Sequence, residues 1–243
     1  MVEILVPVSG GKDSQACLKL AVQSGKNVRG LFCDTQFEHP KTYAHIDWMA
    51  QHYDITIDRV TAGSVEEKVL KYGRFPGGGA RHCTDELKIQ ITKKYCKSLA
   101  EQQGGFEVWY GMRSDESHER KKRYEGKLDT DLYPPHEIMR KYPKYLAKLG
   151  VMFRLPILQW GAAQVRQLLA GELNPLYAEG FDRVGCFPCL AGGDKWKAKA
   201  FRHDAFGKSQ YEKVMWLEKQ IGKSIWTSKS GQEMGQGCLI CSI

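Results

Sequence analysis

Six consecutive residues near the start, Ser9-Gly10-Gly11-Lys12-Asp13-Ser14, hold the side-chain types that a phosphate group requires. The glycines let the backbone approach an anion. Lys12 adds a full positive charge, and Ser9 and Ser14 add hydroxyl donors. A helix starting here would add free N–H groups and a partial positive charge. G-x-x-x-x-G-K-[ST] is absent, so this is not a Walker A loop. An ordinary glycine turn is the competing reading, but the whole hexapeptide between a strand and a helix favours nucleotide phosphate.

Eight cysteines form the second chemical set: Cys17, Cys33, Cys83, Cys96, Cys186, Cys189, Cys238 and Cys241. The last four make two C-x-x-C pairs. That turn lets two thiolates converge on one metal or cluster. The pairs lie 48 residues apart, further than the 15–20 or so of a zinc ribbon. Iron–sulfur, structural zinc on Cys186, Cys189, Cys238 and Cys241, and a metal-free redox dithiol all remain open. The terminal pair could also serve as a sulfur carrier or redox arm. Cys17 and Cys96 fall on expected helices and Cys33 in an expected strand, which reads as core. The seven histidines, His39, His45 and His203 among them, show no metal spacing and are assigned no role.

These groups need a scaffold. Glu3–Val8 is a short apolar run that stops at Ser9-Gly10-Gly11, and Asp13–Ser24 has helical periodicity. Strands are expected at Val28–Cys33, Ile55–Val60 and Phe106–Tyr110, with an apolar run at Val151–Leu158. Helices are expected at Lys41–Tyr53, Thr84–Gln103, Ala162–Ala170 and Ser209–Ile221. Alternating strands and helices predict an α/β fold with a doubly wound parallel sheet. Ligands of such sheets lie beyond the C-terminal strand ends. Gly73–Gly79 reads as a flexible loop and Glu116–Lys144 as an irregular excursion. The expected division is a nucleotide-binding domain over 1–170 and a cysteine-rich segment over 171–243, packed at the active site.

The 243 residues carry 36 Lys and Arg against 28 Asp and Glu, a net charge of +8. At 42% hydrophobic the chain can bury a core, which excludes disorder as its main state. No apolar run is long enough for a transmembrane helix, so no membrane partner is expected. No secretory signal is evident at Met1–Leu5, so a cytoplasmic location is expected. Arg120-Lys121-Lys122-Arg123, then Lys127, Arg140, Lys141, Lys144 and Lys148, form a basic stretch interleaved with Tyr124, Tyr142 and Tyr145. Lys and Arg on phosphates, with stacking aromatics, suit nucleic acid; a solvated loop is the alternative.

Five ordered motifs now carry a resemblance. SGGKDS is similar to the pyrophosphate loop of the PP-loop ATP pyrophosphatases. Asp34-Thr35-Gln36-Phe37-Glu38 with Thr42, and Arg81-His82-Cys83-Thr84 with Leu87-Lys88, resemble elements of the phosphoadenosine phosphosulfate (PAPS) reductase family. So do Gly111-Met112-Arg113 with Glu116-Ser117 and Arg120, and Asn174-Pro175-Leu176-Tyr177 with Gly180 and Arg183-Val184-Gly185-Cys186-Phe187-Pro188-Cys189. Asp194-Lys195 follows, as in the ATP pyrophosphatase of DNA phosphorothioation systems, and phage-encoded proteins share the pattern. Reductases of the family typically lack the Lys-Asp pair that this loop keeps.

The resemblance implies an AMP- and pyrophosphate-forming ATP-dependent sulfurtransferase. A substrate oxygen attacks the α-phosphorus, and sulfur then displaces AMP. Lys12, Asp13, Arg113 and Arg120 are the implied catalytic residues. Ser9, Gly10, Gly11, Lys12, Asp13, Ser14, Asp34, Lys88 and Gly111 are the implied nucleotide-binding residues, with Asp34 on Mg²⁺ or a ribose hydroxyl. Cys83, Cys186 and Cys189 would hold a [4Fe–4S] cluster, with Cys238 or Cys241 as a fourth ligand or none; zinc is the alternative. Implied partners are nucleic acid, DNA above all, and a sulfur donor such as a cysteine desulfurase; a homodimer is compatible. A sulfonucleotide reductase and a nucleotide- or redox-sensing regulator are the other readings.

Overall fold

The computed structural model describes residues 1–77 and 81–227. Along the chain come β1 (Ile4–Val8), α1 (Lys12–Gln23), β2 (Val28–Asp34), α2 (Pro40–His52), β3 (Ile57–Thr61) and α3 (Val65–Tyr72). Next are α4 (His82–Thr84), a π turn at Asp85–Ile89, α5 (Gln90–Gln103), β4 (Phe106–Trp109), α6 (His118–Arg123), α7 (Pro135–Ile138) and α8 (Tyr145–Lys148). β5 (Val151–Arg154), α9 (Ala162–Leu168), α10 (Asp194–Phe201) and α11 (Ala205–Ile221) complete the order. Chain contacts divide these into two units, one of Met1–Cys33, Pro40–Val60 and Ile89–Val184, the other of Asp34–His39, Thr61–Lys88 and the residues from Gly185 onward. The division therefore falls at 184/185 rather than 170/171, and the second unit draws on two earlier segments. Sequence order hides this, because it cannot show which excursions leave the sheet.

The first unit holds the sheet. Its strand order is β3-β2-β1-β4-β5, with β1 parallel to both β2 and β4, and β4 parallel to β5. The order reverses between β1 and β4, which is the switch point where such sheets bind ligands. Strand periodicity assigns the faces. Ile4, Val6 and Val8 join Leu18 of α1 and Ile46 and Met49 of α2 in one core. Leu5, Leu31, Val108 and Phe153 face the other way, with Cys96 and Ala100 of α5. Helices on both faces make the sheet doubly wound, as expected.

The stretch 116–144 is short on regular structure, yet it is ordered by burial. Tyr124, Ile138 and Tyr142 enter the same core as Phe153. The Tyr142 hydroxyl meets that of Tyr110 at 2.7 Å. Tyr124 and Tyr142 are 4% and 3% exposed, so the expected stacking of these two on nucleic acid is corrected: their rings are core. Tyr145 remains exposed.

The second unit has its own core: Phe37, Val65 and Val69 of α3, Leu87, Leu190, Phe201 of α10, and Tyr211, Val214 and Leu217 of α11. A Cβ on Gly207 would stand 2.1 Å from the Ala200 carbonyl oxygen, so glycine permits the close crossing of α10 and α11. Lys197, fully buried, donates to the Ile225 carbonyl at 2.6 Å and pairs with Asp194 at 2.8 Å. Asp194 also accepts the Thr227 N–H and hydroxyl. Cys17, Cys33 and Cys96 are buried thiols, as read from the sequence. Among the described residues no helix is long and apolar enough to cross a membrane.

Candidate functional site

Ser9–Ser14 lies where β1 ends and α1 begins, at the switch point of the sheet. Gly10 has φ +71°, and a Cβ there would come within 2.6 Å of Thr42 Cγ2. Gly11 caps α1 without any side-chain hydrogen bond, leaving the helix start to backbone N–H groups. The Ser14 hydroxyl accepts from Ser9 N–H at 3.1 Å and donates to the Gly11 carbonyl at 2.9 Å, which sets the loop's curvature. The loop after β4 closes in from the other side. A Cβ on Gly111 would stand 2.3 Å from the Asp13 carbonyl oxygen, so only glycine allows that approach.

The side chains form a mixed-charge cluster. Lys12 Nζ lies 3.3 Å from Asp13 Oδ2, and Arg113 Nε donates to Asp13 Oδ1 at 2.6 Å. Asp13 thus aligns two cations that are themselves 8% and 5% exposed. Arg113 also pairs with Asp115, and Arg120 with Glu116. Burial lowers the pKa of Arg120, and like charge on Arg183 and Arg123 adds to this while Tyr124 and Asp13 oppose it. A half-buried cation beside other cations is stabilised by an anion. The expected Lys12, Asp13, Gly111, Arg113 and Arg120 therefore meet at one place.

Three residues of this site were quoted within motifs but given no role. The Tyr177 hydroxyl accepts the Lys12 N–H at 2.8 Å. Asn174 Nδ2 donates to the Gly10 carbonyl at 3.3 Å. Arg183 enters through its charge on Arg120 and Tyr177. The signal for Asn174 and Tyr177 was their place in a matched motif; no local pattern announces a contact across 165 residues.

A cavity of about 460 Å³ is lined by Ser114, His118, Lys121, Lys122, Tyr124 and Lys127 among others. Lys121, Lys122 and Arg123 are exposed.

The second unit carries the thiols. Glu38 and Cys186 form an antiparallel bridge, and Phe187 N–H donates to the Phe37 carbonyl at 2.7 Å. This holds the Cys186–Cys189 turn. Cys186 Sγ lies 3.3 Å from Thr35 Oγ1 and 3.7 Å from Glu38 Oε1. Burial pushes its thiol up to about 12, against the positive charge of Lys88. Burial also raises Cys83, again against Lys88. Cys189 is exposed and acts electrostatically on both. Lys88, expected as a nucleotide anion binder, lies in the π turn of this unit and acts on the thiols. Asp34 Oδ1 accepts the Gln36 N–H at 2.8 Å, a turn that holds Gln36 at φ +56°.

The donor set fits an iron–sulfur cluster. The Cys189 thiol acts on both Cys83 and Cys186, beside a lysine that favours thiolate. Neither ring nitrogen of the buried His82, next to Cys83, has a hydrogen-bond partner. A bound group would satisfy such orphaned nitrogens. Cys238 and Cys241 lie outside the described residues. Asp13 is held by two cations and Asp34 Oδ1 by its own turn, so a Mg²⁺ here would draw most of its ligands from phosphate and water.

Comparison with known proteins adds a separate line. The family model for the phosphoadenosine phosphosulfate reductase domain matches residues 3–191. An uncharacterised protein of Methanocaldococcus jannaschii is 32% identical over 194 residues, taking in 77% of this chain and 36% of that protein. An uncharacterised 37.8 kDa protein of Escherichia phage 186 is 27% identical over 236 residues, 76% of this chain and 66% of the relative. The adenosine 5'-phosphosulfate reductase of Pseudomonas aeruginosa is 28% identical over 195 residues, 77% of this chain and 66% of the relative. This chain thus spans between 36% and 66% of the length of these relatives.

Proposed function

Because the chain belongs to the phosphoadenosine phosphosulfate reductase domain family, we propose that it is an ATP pyrophosphatase that activates an oxygen of nucleic acid for replacement by sulfur. The observation that carries this reading is Lys12, 8% exposed at the start of α1 and aligned by Asp13 with Arg113. A lysine there neutralises charge that grows as pyrophosphate leaves, which matters when an α–β phosphate bond breaks.

The chemistry balances without net electron transfer. A substrate oxygen bonds to the α-phosphorus of ATP, and the bond to the β-phosphate oxygen breaks, releasing pyrophosphate. Sulfur at the oxidation level of sulfide then displaces AMP, which leaves with the substrate oxygen. The protein supplies position and charge for such steps. Ser9–Ser14 holds the phosphates, Arg113 and Arg120 bind equatorial oxygens, and Asp13 keeps Lys12 and Arg113 in register. No step is assigned to magnesium. Cys83, Cys186 and Cys189 would hold a [4Fe–4S] cluster, which with three protein ligands supplies an iron able to carry sulfide. Nucleic acid as the substrate is supported by Lys121, Lys122 and Lys127 around the cavity that Ser114, next to Arg113 in sequence, helps to line.

A second reading, reduction of a sulfonucleotide, is favoured by the similarity to the Pseudomonas aeruginosa reductase. One experiment separates them. Anaerobic protein is given α-labelled ATP, DNA or RNA, and sulfide, and in parallel adenosine phosphosulfate with thiol reductant. AMP and pyrophosphate in the first mixture support the proposal. Sulfite in the second alone selects the reductase, and ADP with orthophosphate overturns the pyrophosphatase reading.

A further inference from the structure

The histidines that show no spacing along the chain meet in the second unit. His39, His203 and Asp204 offer ligand atoms that all lie within 4.8 Å of one another. His39 follows the segment leaving β2, while His203 and Asp204 form the short link between α10 and α11. Spacings of 164 and 1 residues could not announce them.

An ordinary structural account explains part of this cluster. Asp204 is the N-cap of α11, and its Oδ1 accepts the Gly207 N–H at 2.9 Å. A cap needs one oxygen. Oδ2 instead faces His39 Nε2 at 2.9 Å, and the His203 ring stands 6.0 Å from the His39 ring, centroid to centroid. A carboxylate that caps a helix has no need of two imidazoles.

The surroundings suit an ion. His39 is 2% exposed. Its ring is fixed edge-on by Phe187 at 4.8 Å and Phe206 at 5.0 Å. The Asp204 side chain is 34% exposed, so water can complete a coordination shell. Two imidazole nitrogens and one carboxylate suit Zn²⁺ and similar divalent ions. Tetrahedral ligands at about 2.0–2.2 Å sit roughly 3.3 Å apart. The present ligand atoms lie within 4.8 Å of one another, so an ion would draw them together by about 1.5 Å at most.

We propose that His39, His203 and Asp204 form a divalent transition-metal site, separate in ligands and chemistry from the thiols, that ties the start of α11 to the segment after β2. The ion takes three protein ligands, with water in the remaining position. It acts as a clamp on the second unit, and its existence does not depend on the reaction proposed above.

The test is anaerobic titration of the full chain with Co²⁺, then Zn²⁺, beside His203→Gln and His39→Gln. His203→Gln leaves the His39–Asp204 hydrogen bond and the helix cap in place, so it is the variant expected to fold normally. One equivalent of Co²⁺ should show ligand-field absorption without thiolate charge transfer, displaced by Zn²⁺. Its affinity should fall at least tenfold in His203→Gln, and the rise of Tm with added Zn²⁺ should shrink. Cobalt bound only with thiolate charge transfer would overturn the site. So would uptake and Tm rise that are unchanged in His203→Gln, or no uptake by the wild type.

Discussion

A thiol's environment decides what it can do, and three neighbouring cysteines here differ. Cys189 is exposed, while burial raises the thiols of Cys83 and Cys186, the latter to about 12. In metal-free protein at pH 7.5, iodoacetamide should label Cys189 well before Cys83 or Cys186, and Cys17 and Cys96 only after unfolding. Peptide mapping over time checks the order. Raised thiols release protons when a metal binds, so iron loading should strengthen as pH rises. His45 makes a second residue-scale prediction. Burial pushes its imidazole down to about 4, with Nε2 at 2.9 Å from Gln15 Oε1. Unfolded, it titrates near 6.5. Below that pH the unfolded chain binds more protons, so stability present above 6.5 is lost as pH falls through 4. The loss should reach roughly 2 kcal/mol by pH 5, and His45→Gln should lack it, read from urea midpoints at pH 7 and pH 5. Residue chemistry was the most legible part of the sequence: the loop lies between the first strand and the first helix, and the core thiols are buried, as expected. Tyr177 and the His39 cluster were not legible, because their partners are more than 160 residues away.

Elements bring such residues together, and two glycines permit the close approaches at the loop. Gly111→Ala would drive a methyl into the Asp13 carbonyl, and Gly10→Ala would combine φ +71° with a clash at Thr42. Each should cost about 1–3 kcal/mol of stability and lower pyrophosphate release by up to about 10²-fold through displaced groups. Gly25 shares the backbone conformation, at φ +72°, but has open space around it. Gly25→Ala should lose about 1–2 kcal/mol by the backbone alone and keep its turnover. Denaturation midpoints and single-turnover rates on the three variants separate strain from function. The strands and most helices were legible because their apolar periods are clean. α3 was passed over although its ends are marked, by Ser64 with Glu67 in a reciprocal cap and by Gly73 at φ +57°. The expected helix Thr84–Gln103 is interrupted by the π turn at Asp85–Ile89. No residue there breaks helical propensity, so the widening comes from packing.

For the whole molecule the +8 charge is the broadest clue. Replacing Lys121, Lys122 and Arg123 by Ser should flatten the salt dependence of DNA or RNA binding by about 0.7–0.9 per lost phosphate contact. Fluorescence anisotropy across a salt series measures it; an unchanged slope removes this surface from the proposal. Lys12→Ala should lower AMP formation by roughly 10²-fold or more while leaving that slope intact. The sheet class was readable from alternation alone. The two units were not, since a unit assembled from three separated segments leaves no boundary in the sequence.

That threading bears on how the protein is made. Cys83 leaves the ribosome about a hundred residues ahead of Cys186, roughly 5–20 s earlier at ordinary elongation rates. Among the described residues, all five strands of the sheet have been synthesised by Arg154, so the sheet can close while the second unit still lacks α10 and α11. During that interval Cys83 waits without its companions, open to oxidants and to stray metals. If Cys83, Cys186 and Cys189 share the proposed cluster, nascent chains should carry none, and a cell short of thiol reductant should yield protein damaged at Cys83 before the polypeptide is finished.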